Sequence, residues 1–215
     1  MLKNKNFYAN LWKEGLFMKY FYHHNFYKLK SKGGLHIISN FKTIQQKTEY
    51  TCGPACVLMI LNHIDKNNNQ TEESLIKVFN TRPFPYGTNL IDIVNGVKSL
   101  KYKTFSTYDL KENNQGLVFE TFIDFKNFVI DSIKNNKPIL VLNVDYGGHY
   151  KVIIGYDEVD KNPDHDMLIF ADPLDLNDGV QDGYNYFPAD RFFYMWFDNA
   201  GGRRETKQGF LTIRK

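Results

Sequence analysis

The fold of this chain is decided at residues 46–56, which read Gln46-Lys47-Thr48-Glu49-Tyr50-Thr51-Cys52-Gly53-Pro54-Ala55-Cys56. Apolar side chains follow directly at residues 57–61. Pro54 predicts a helix start, because its fixed backbone angle suits the first turn and its missing N–H is not needed there. Gly53 lets the chain bend sharply just before that turn. Since no polar face appears before Asn62, the helix is predicted to be surrounded by protein.

Cys52 lies at the N-terminal end of this predicted helix. Unpaired backbone N–H groups and the positive end of the peptide dipole favour a thiolate over a thiol at a helix start. We therefore predict that Cys52 is a nucleophile; the competing interpretation is a small buried hydrophobic residue, which cysteine often is. Cys56 is interpreted as structural, because two cysteines one helical turn apart are poorly placed for an unstrained disulfide.

Gln46 precedes the cysteine by six residues in the same segment. Its side-chain amide and the backbone N–H of Cys52 are predicted to hold the oxygen of a carbonyl group under attack, because two donors can stabilise the negative charge that develops there. Gln45 is the alternative donor if the loop has a different register. The segment therefore carries a candidate nucleophile and a candidate oxyanion donor.

A thiolate nucleophile needs a proton carrier, and His149 is the candidate for this role. It follows Gly147 and Gly148, which permit a close approach of the backbone, and it precedes residues 150–156, whose composition predicts a strand. A strand would hold the ring rigidly and leave one side of it accessible. The competing interpretation is a histidine of the core or of the turn.

The third member of such a site is an acceptor that fixes the tautomer of the histidine ring. Asp172 is predicted to be this acceptor, because it ends the apolar residues 167–171 just before a proline. Asp157 lies at the far end of the strand that the histidine begins. A strand of eight residues spans about 26 Å, so Asp157 is predicted to be out of reach. The other competing carboxylates nearby are Asp145 and Asp175.

Three stretches together resemble the peptidase C39-like family of papain-like cysteine peptidases: residues 46–61, residues 147–149 with the strand that follows, and residues 171–173. The resemblance covers most of the chain from about Phe41 onward. Within the family the chain is closer to stand-alone bacterial members. These carry a Gly-Gly-His-Tyr or Gly-Gly-His-Trp element and a segment similar to residues 191–198.

The resemblance implies a hydrolase, a thiol protease with a catalytic triad, that needs no metal and no cofactor. In this resemblance Cys52 is the nucleophile, His149 the general base and acid, Asp172 the residue that orients the ring and Gln46 the oxyanion donor. The substrate does not follow from it. The best-known C39 peptidases are domains of membrane exporters and cut peptide leaders after a Gly-Gly pair, and we expect no transporter attached to this chain.

The order of the predicted elements, helices first and strands after them, favours an α+β fold. In the papain-like form of this fold, the central N-terminal helix that carries the nucleophile packs on an antiparallel sheet. Strands predicted at residues 138–144, 150–156 and 167–171 are expected to form a meander rather than βαβ units. Other strands are predicted at residues 35–39 and 101–106, with a closing edge strand at residues 210–213. Helices are predicted at residues 71–79, 89–100 and 124–135.

The length of 215 residues and the hydrophobic content of 42% indicate one globular domain. Residues 35–215 are assigned to a single C39-like cysteine peptidase domain and residues 1–34 to a basic, aromatic N-terminal extension. Before residue 46 the only acidic residue is Glu14, against Lys3, Lys5, Lys13, Lys19, Lys28, Lys30, Lys32 and Lys42. A solvated extension, or a strand pair packed on the domain, explains this charge best. An acidic partner or a membrane surface is the alternative, and no nucleic acid is expected.

Residues 7–26 lack the continuous apolar core of an export signal, because charged and polar residues interrupt them. No run approaches the roughly 20 apolar residues of a transmembrane helix. A cytoplasmic location is therefore expected by default, with export by a route that needs no signal peptide left open. Two cysteines predict no disulfide framework, and a reducing compartment would keep Cys52 active.

Three function classes are compatible with these residues. The first is a cysteine peptidase that hydrolyses a peptide bond in a peptide or protein substrate. The second is an acyltransferase that uses the same thioester chemistry, in the manner of transglutaminase-like or phytochelatin-synthase-like enzymes. The third is a catalytically inactive peptide-binding module, which the intact set of candidate residues argues against. The sequence does not determine the substrate sequence or the oligomeric state.

Overall fold

A computed structural model describes residues 25–110, 112, 116–143, 147–176, 179–198 and 206–215. The helices in this part of the chain are α1 (Cys52–Ile64), α2 (Glu72–Val78), α3 (Leu90–Ser99), α4 (Phe122–Lys134) and α5 (Ala189–Tyr194). The strands are β1 (Leu35–Ile37), β2 (Lys103–Ser106), β3 (Ile139–Asn143), β4 (His149–Asp157), β5 (Met167–Ala171), β6 (Tyr184–Pro188), β7 (Phe197–Asp198), β8 (Thr206–Lys207) and β9 (Gly209–Arg214). None of the described helices has the length and apolar character needed to span a membrane.

Helix α1 begins at Cys52, where the sequence predicts a helix start. Residues 52–61 are all buried, as expected for a helix without a polar face. The first backbone hydrogen bond of the helix runs from Ala55 N to Thr51 O at 3.0 Å. The backbone N–H groups of Cys52 and Gly53 therefore belong to the first turn, where a helix has no acceptors of its own to offer.

The main sheet has the strand order β2-β9-β3-β4-β5-β6, and β1 pairs with the second half of β4. All of these pairs are antiparallel. Strands β3, β4 and β5 are neighbours in chain order, which confirms the predicted meander and the α+β class. Short strands β7 and β8 form a separate pair.

The C-terminal strand is in a different place from the predicted one. The sequence predicts an edge strand at residues 210–213, but β9 lies between β2 and β3. Residues 209–213 are buried, so both faces of this strand are covered. The prediction of an edge is wrong because strand order depends on pairing between distant parts of the chain, which the local apolar pattern does not encode. Strand β6, at one end of the sheet order, is not among the predicted strands.

The other predicted elements lie within two residues of their observed bounds. The cap of α2 shows why such local predictions succeed. Thr71 precedes this helix, and its side-chain oxygen accepts a hydrogen bond from Ser74 N at 3.2 Å. Glu72 and Glu73 occupy the first turn, where the helix dipole favours negative charge. Residues 1–24 of the predicted extension, residue 144 and Asp145 lie outside the described residues.

Residues 25–34 are the described part of the predicted N-terminal extension. Phe26 is buried, and its ring centroid lies 5.9 Å from that of Tyr184 and 6.2 Å from that of Tyr186. Strand β1 follows and pairs with β4. The segment just before residue 35 thus packs on the sheet. The boundary between the N-terminal extension and the domain, placed between residues 34 and 35, stays a prediction.

The aromatic segment at residues 191–198 contributes to the core. Trp196 is buried, and its indole Nε1 donates a hydrogen bond to Gly209 O at 3.2 Å. The aromatic rings packed around it are Phe119, Phe125, Phe192 and Phe210. Tyr194 differs from them, because 75% of its surface is exposed. The segment therefore serves mainly as core.

Adjacent residues of β4 point to opposite faces of the sheet, because side chains alternate along a strand. Tyr150 faces α1: a Cβ added at Gly53 of that helix would lie 3.3 Å from Tyr150 Cδ2. Lys151 points the other way, and its Nζ lies 5.7 Å from the ring centroid of Phe170, which packs on Phe192 of α5. Helices α1 and α5 therefore cover opposite faces of the sheet near the start of β4.

Candidate active site

The register of β4 and β5 brings the candidate histidine and aspartate together. Val152 pairs with Ala171 in this antiparallel ladder. Continuing the register by one residue puts Lys151 opposite Asp172, and His149 lies two residues further along the same face of β4. His149 and Asp172 thus lie close together, because His149 begins β4 and Asp172 directly follows the antiparallel neighbour β5.

Cys52 lies at the start of α1, and its side chain is 8% exposed. The preceding Thr51 does not cap the helix with its side chain; its hydroxyl donates instead to Thr48 O at 3.1 Å. Within the part of the chain that the structure describes, no acceptor is found for the backbone N–H groups of Cys52 and Gly53. Two donors at the positive end of the helix therefore lie next to the thiol.

His149 contacts both other candidate residues. Its Nε2 lies 2.8 Å from Asp172 Oδ1. The Cys52 side chain is the second hydrogen-bonding partner of the His149 ring. His149 is 3% exposed and Asp172 is 1% exposed, so the contact between them is shielded from solvent.

This environment changes the protonation of both His149 and Asp172. Burial by itself lowers the pKa of His149. The hydrogen bonds to Asp172 and Cys52, with the negative charges of these groups, outweigh burial and raise that pKa to about 9. Burial likewise opposes ionisation of Asp172, but the His149 hydrogen bond and the positive charges of His149 and Lys151 hold the pKa of this carboxyl well below its usual range. The pair is therefore held as imidazolium and carboxylate near neutral pH.

Both carboxylate oxygens of Asp172 interact with hydrogen-bond donors or cations. Besides the histidine, Oδ1 accepts from Leu174 N at 2.9 Å. Oδ2 accepts from Asn185 Nδ2 at 3.1 Å and lies 3.3 Å from Lys151 Nζ. Sequence reasoning missed the roles of Lys151 and Asn185. The signal in the sequence is the lysine inside the apolar residues 150–156, because a buried lysine needs a partner.

Gly183 forms backbone hydrogen bonds that position the turn containing Asp172. Its carbonyl accepts from Asp172 N at 2.9 Å, and its N–H donates to Asp175 Oδ2 at 2.6 Å. Its φ is +80°, and a Cβ added here would lie 2.4 Å from Thr43 Cβ. Both the backbone conformation and the space at this position therefore require glycine.

We expect Gly183→Ala to lower the free energy of unfolding by about 3 kcal/mol, because it combines a strained φ with a clash. Gly33→Ala is the matched control. Gly33 also has a positive φ, +61°, but an added Cβ would meet nothing within 4 Å, so we expect a loss of about 1 kcal/mol. Urea unfolding of the two variants measures the difference. Equal destabilisation in both would contradict the role assigned to the Thr43 contact.

The competing carboxylates are engaged elsewhere or lie outside the described residues. Asp157 is at the other end of β4, where it pairs with Leu35, and its Oδ2 accepts from Tyr186 OH at 2.6 Å. Asp175 is buried and accepts from the Gly183 N–H. Asp145 belongs to the residues that are not described. Of the described candidates, Asp172 is the one bound to His149.

Gln46 lies beside the Asp172 turn, because its backbone N donates to Pro173 O at 2.9 Å. Its side-chain Nε2 donates to Thr48 O at 2.8 Å. Its Oε1 is buried and has no hydrogen-bond partner among the described residues. Gln45, the alternative donor, is exposed. The segment is thus tied to the site, while the role of Gln46 as an oxyanion donor stays a prediction.

Cys56 is fully buried, and its thiol donates a hydrogen bond to Tyr150 O at 3.2 Å. Burial, with the nearby charges of Cys52 and Asp172, raises the pKa of this thiol well above its usual value. Both cysteines are free thiols. In the described ranges, no group of three or more His, Cys, Asp or Glu side chains is arranged to hold a metal ion. The contacts of Cys56 are those of a structural residue.

Residues 82–89 form a wall beside the start of α1. Tyr150 OH donates to Thr88 O at 3.1 Å, and a Cβ added at Gly53 would lie 3.5 Å from Thr88 Cβ. The loop exposes two aromatic rings, Phe84 at 70% and Tyr86 at 62%. This loop is therefore anchored next to the turn that carries the Cys52 thiol.

Comparison with known proteins places the chain in a family. The model of the Peptidase_C39 like family matches residues 38–199. The structure is similar to the peptidase domain of Streptococcus ComA, described as a bi-functional ABC transporter involved in quorum sensing. That domain is 20% identical, with a TM-score of 0.52 and coverage of 81% of this chain and 99% of that one. No curated protein sequence matches the chain.

A putative C39-like peptidase from Bacillus anthracis is also similar. It is 16% identical, with a TM-score of 0.56, and the match covers 85% of this chain and 98% of that one. At these identities the similarity shows a common fold. The α+β architecture described above is accordingly the papain-like fold of C39 peptidases, with α1 as the central N-terminal helix.

Proposed function

The chain belongs to the Peptidase_C39 like family, and on this premise we propose that it is a cysteine peptidase that hydrolyses peptide bonds with Cys52 as nucleophile. His149 serves as general base and acid, and Asp172 orients its ring. The observation that carries the proposal is the position of His149, which bonds at once to Cys52 at a helix N-terminus and, at 2.8 Å, to Asp172. Acyl transfer requires a nucleophile next to a base, and a third group that orients the base. Cys52, His149 and Asp172 have these relative positions.

The reaction follows from these contacts in two stages. The Cys52 thiolate attacks the peptide carbonyl carbon, and the tetrahedral intermediate collapses to a thioester when the C–N bond breaks. The leaving amine takes the proton of His149, which is then neutral. In the second stage His149 accepts a proton from water while the water oxygen attacks the thioester carbonyl. Release of the carboxylic acid returns the thiolate and the imidazolium, so protons balance over the cycle.

The backbone N–H of Cys52 is the first donor proposed for the developing oxyanion, because no described residue accepts from it. Gln46 is the second. In the present rotamer its Nε2 donates to Thr48 O, and its buried Oε1 has no described partner. Because a simple exchange of the two atoms would leave Oε1 facing the Thr48 carbonyl, two acceptors without a hydrogen between them, the side chain has to rotate away from Thr48 O to direct its N–H at an oxyanion. The proposal therefore includes this rotation when substrate binds.

The proposed activity is tested with a peptide library, read by mass spectrometry with and without an added amine acceptor. The wild-type protein is expected to release peptides with new carboxyl ends and to show a thioester adduct on Cys52 at short times. Cys52→Ala should show neither. Cys56→Ala is the matched control, because it removes a thiol from the same helix without touching the proposed chemistry.

The other outcomes separate the competing functions. Products joined to the added amine in place of free carboxyl ends would indicate an acyltransferase that uses the same thioester. Binding of peptides without any adduct or cleavage in the wild type would indicate an inactive peptide-binding module. Either result would reject peptide hydrolysis as the function.

A further inference from the structure

Lys151 is a buried cation that the proposed mechanism does not use. Its side chain is 3% exposed, although lysine is almost never fully buried without a partner. Its Nζ lies 3.3 Å from Asp172 Oδ2 and 5.7 Å from the ring centroid of Phe170. The ammonium group therefore lies between the proposed orienting carboxylate and an aromatic ring, on the side of the sheet that α5 covers.

The geometry gives each oxygen of Asp172 a different cation. Oδ1 is 2.8 Å from His149 Nε2, and Oδ2 is 3.3 Å from Lys151 Nζ. Asn185 Nδ2 adds a neutral donor to Oδ2 at 3.1 Å. Because His149 and Lys151 are two residues apart on one strand, the carboxylate is held between them and its plane is fixed relative to the histidine ring.

The titratable groups around Asp172 come from one strand and one helix. His149 and Lys151 lie on β4, and Cys52 and Cys56 lie on α1. A thiolate at Cys52, an imidazolium and the Asp172 carboxylate together carry one negative charge, and the Lys151 ammonium makes the sum zero. Burying an unpaired charge is costly, so the Lys151 ammonium lowers the cost of burying the Asp172 carboxylate.

We propose that Lys151 is a positioning residue of the active site, which holds the Asp172 carboxylate against His149 and offsets its charge, so that the imidazolium can release its proton to the leaving amine. This inference rests on the proposed function. Without the ammonium, the negative charge of Asp172 acts on His149 alone. The imidazolium is then more stable and gives up its proton less readily. Lys151 thereby tunes the Cys52–His149 pair through Asp172, without contacting substrate.

The test is the titration of the His149 ring followed by NMR, with its signal assigned by its loss in His149→Ala. Lys151→Met removes the charge at nearly constant shape. We expect its His149 midpoint to lie about one pH unit higher than in the wild type, because the Asp172 carboxylate is no longer shared with a second cation and attracts the imidazolium more strongly. Lys151→Arg should stay close to the wild type. Lys161→Met, which changes an exposed lysine, is the matched control.

A double variant separates action through Asp172 from a direct effect. In an Asp172→Asn background, Lys151→Met should move the His149 midpoint by less than half as much. An unchanged midpoint in Lys151→Met, or an equal shift in both backgrounds, would overturn the inference. If Lys151→Met does not fold, Lys151→Gln answers the same question, because it keeps a donor but not the charge.

The NMR titration can fail separately from the proposed function, because it needs no substrate. A shifted midpoint in a protein that hydrolyses no peptide would reject the peptidase while supporting the link between Lys151 and His149. Peptide hydrolysis by the wild type, with an unchanged His149 midpoint in Lys151→Met, would support the peptidase and reject the link between Lys151 and His149. Where hydrolysis is measured, Lys151→Met should lower kcat more than it changes KM, and the alkaline limb of its pH profile should move with the His149 midpoint.

Discussion

Replacing His149 by alanine is expected to lower kcat/KM for peptide hydrolysis by about 10³-fold or more. The change removes the proposed proton donor for the leaving amine and the proposed partner of the Cys52 thiolate. It is measured on whichever peptide the library selects, with unfolding followed in parallel. His165→Ala is the control, because His165 is an exposed histidine that contacts Asp160 at 2.9 Å, away from the site. Its kcat/KM should stay within about twofold of the wild type.

The pH profile of the wild type provides a second readout for His149. In the proposed mechanism, the ring must be protonated to deliver a proton to the leaving amine. Because its pKa is raised to about 9, kcat/KM should hold through neutral pH and fall as the pH rises through about 9. An ordinary histidine would give this fall near pH 6.5. A profile that falls near 6.5, or His149→Ala with the activity of the wild type, would contradict the role of His149.

Replacing Asp172 by asparagine is expected to reduce both activity and stability. We expect kcat/KM to fall by about 10²- to 10⁴-fold, because the amide no longer selects the productive ring tautomer. The free energy of unfolding should fall by about 3–5 kcal/mol at neutral pH, since the buried charges of His149 and Lys151 lose the carboxylate between them. Enzyme kinetics and urea unfolding measure the two effects on the same samples.

The stability effect of Asp172→Asn should depend on pH in a defined direction. The folded protein lowers the pKa of this carboxyl below its ordinary value of 3.8, so its stabilising contribution is present above that pH. It is lost as the pH falls further, through the lowered pKa of the folded state. The difference in the free energy of unfolding between the wild type and Asp172→Asn should therefore become smaller at acidic pH.

Asp157→Asn is the matched control for that experiment, because Asp157 lies at the opposite end of β4 and bonds to Tyr186 OH. It should change the unfolding free energy by less than about 1 kcal/mol and leave kcat/KM unchanged. If Asp157→Asn reduced activity as much as Asp172→Asn, the assignment of the orienting carboxylate would be wrong.

The sequence was most informative where local chemistry decides the structure. The start of α1 follows from Pro54 and the apolar residues after it, and the start of α2 follows from the Thr71 cap. The strand after His149 follows from its composition. In each case a few neighbouring residues determine the backbone conformation. Cys52, His149 and Asp172 could be proposed because each stands at one end of such an element.

Contacts between distant segments were less accessible to sequence reasoning. The place of β9 between β2 and β3 depends on pairing with residues more than sixty positions away, and the sequence suggested an edge. The side-chain hydrogen bond of Gln46 to Thr48 likewise depends on how the loop folds back on itself. Neither apolar periodicity nor residue spacing contains this information.

By itself, the sequence determined the α+β class, the buried helix that begins at Cys52, and the family to which the chain belongs. Only the tertiary structure decided which groups surround Asp172. Lys151 and Asn185 reach this carboxylate because β4, β5 and β6 pair in one register. Side-chain alternation then turns these residues to the same face as His149. Local propensity acts over a few residues, whereas the charge balance of a buried site is set by strands that meet only after folding.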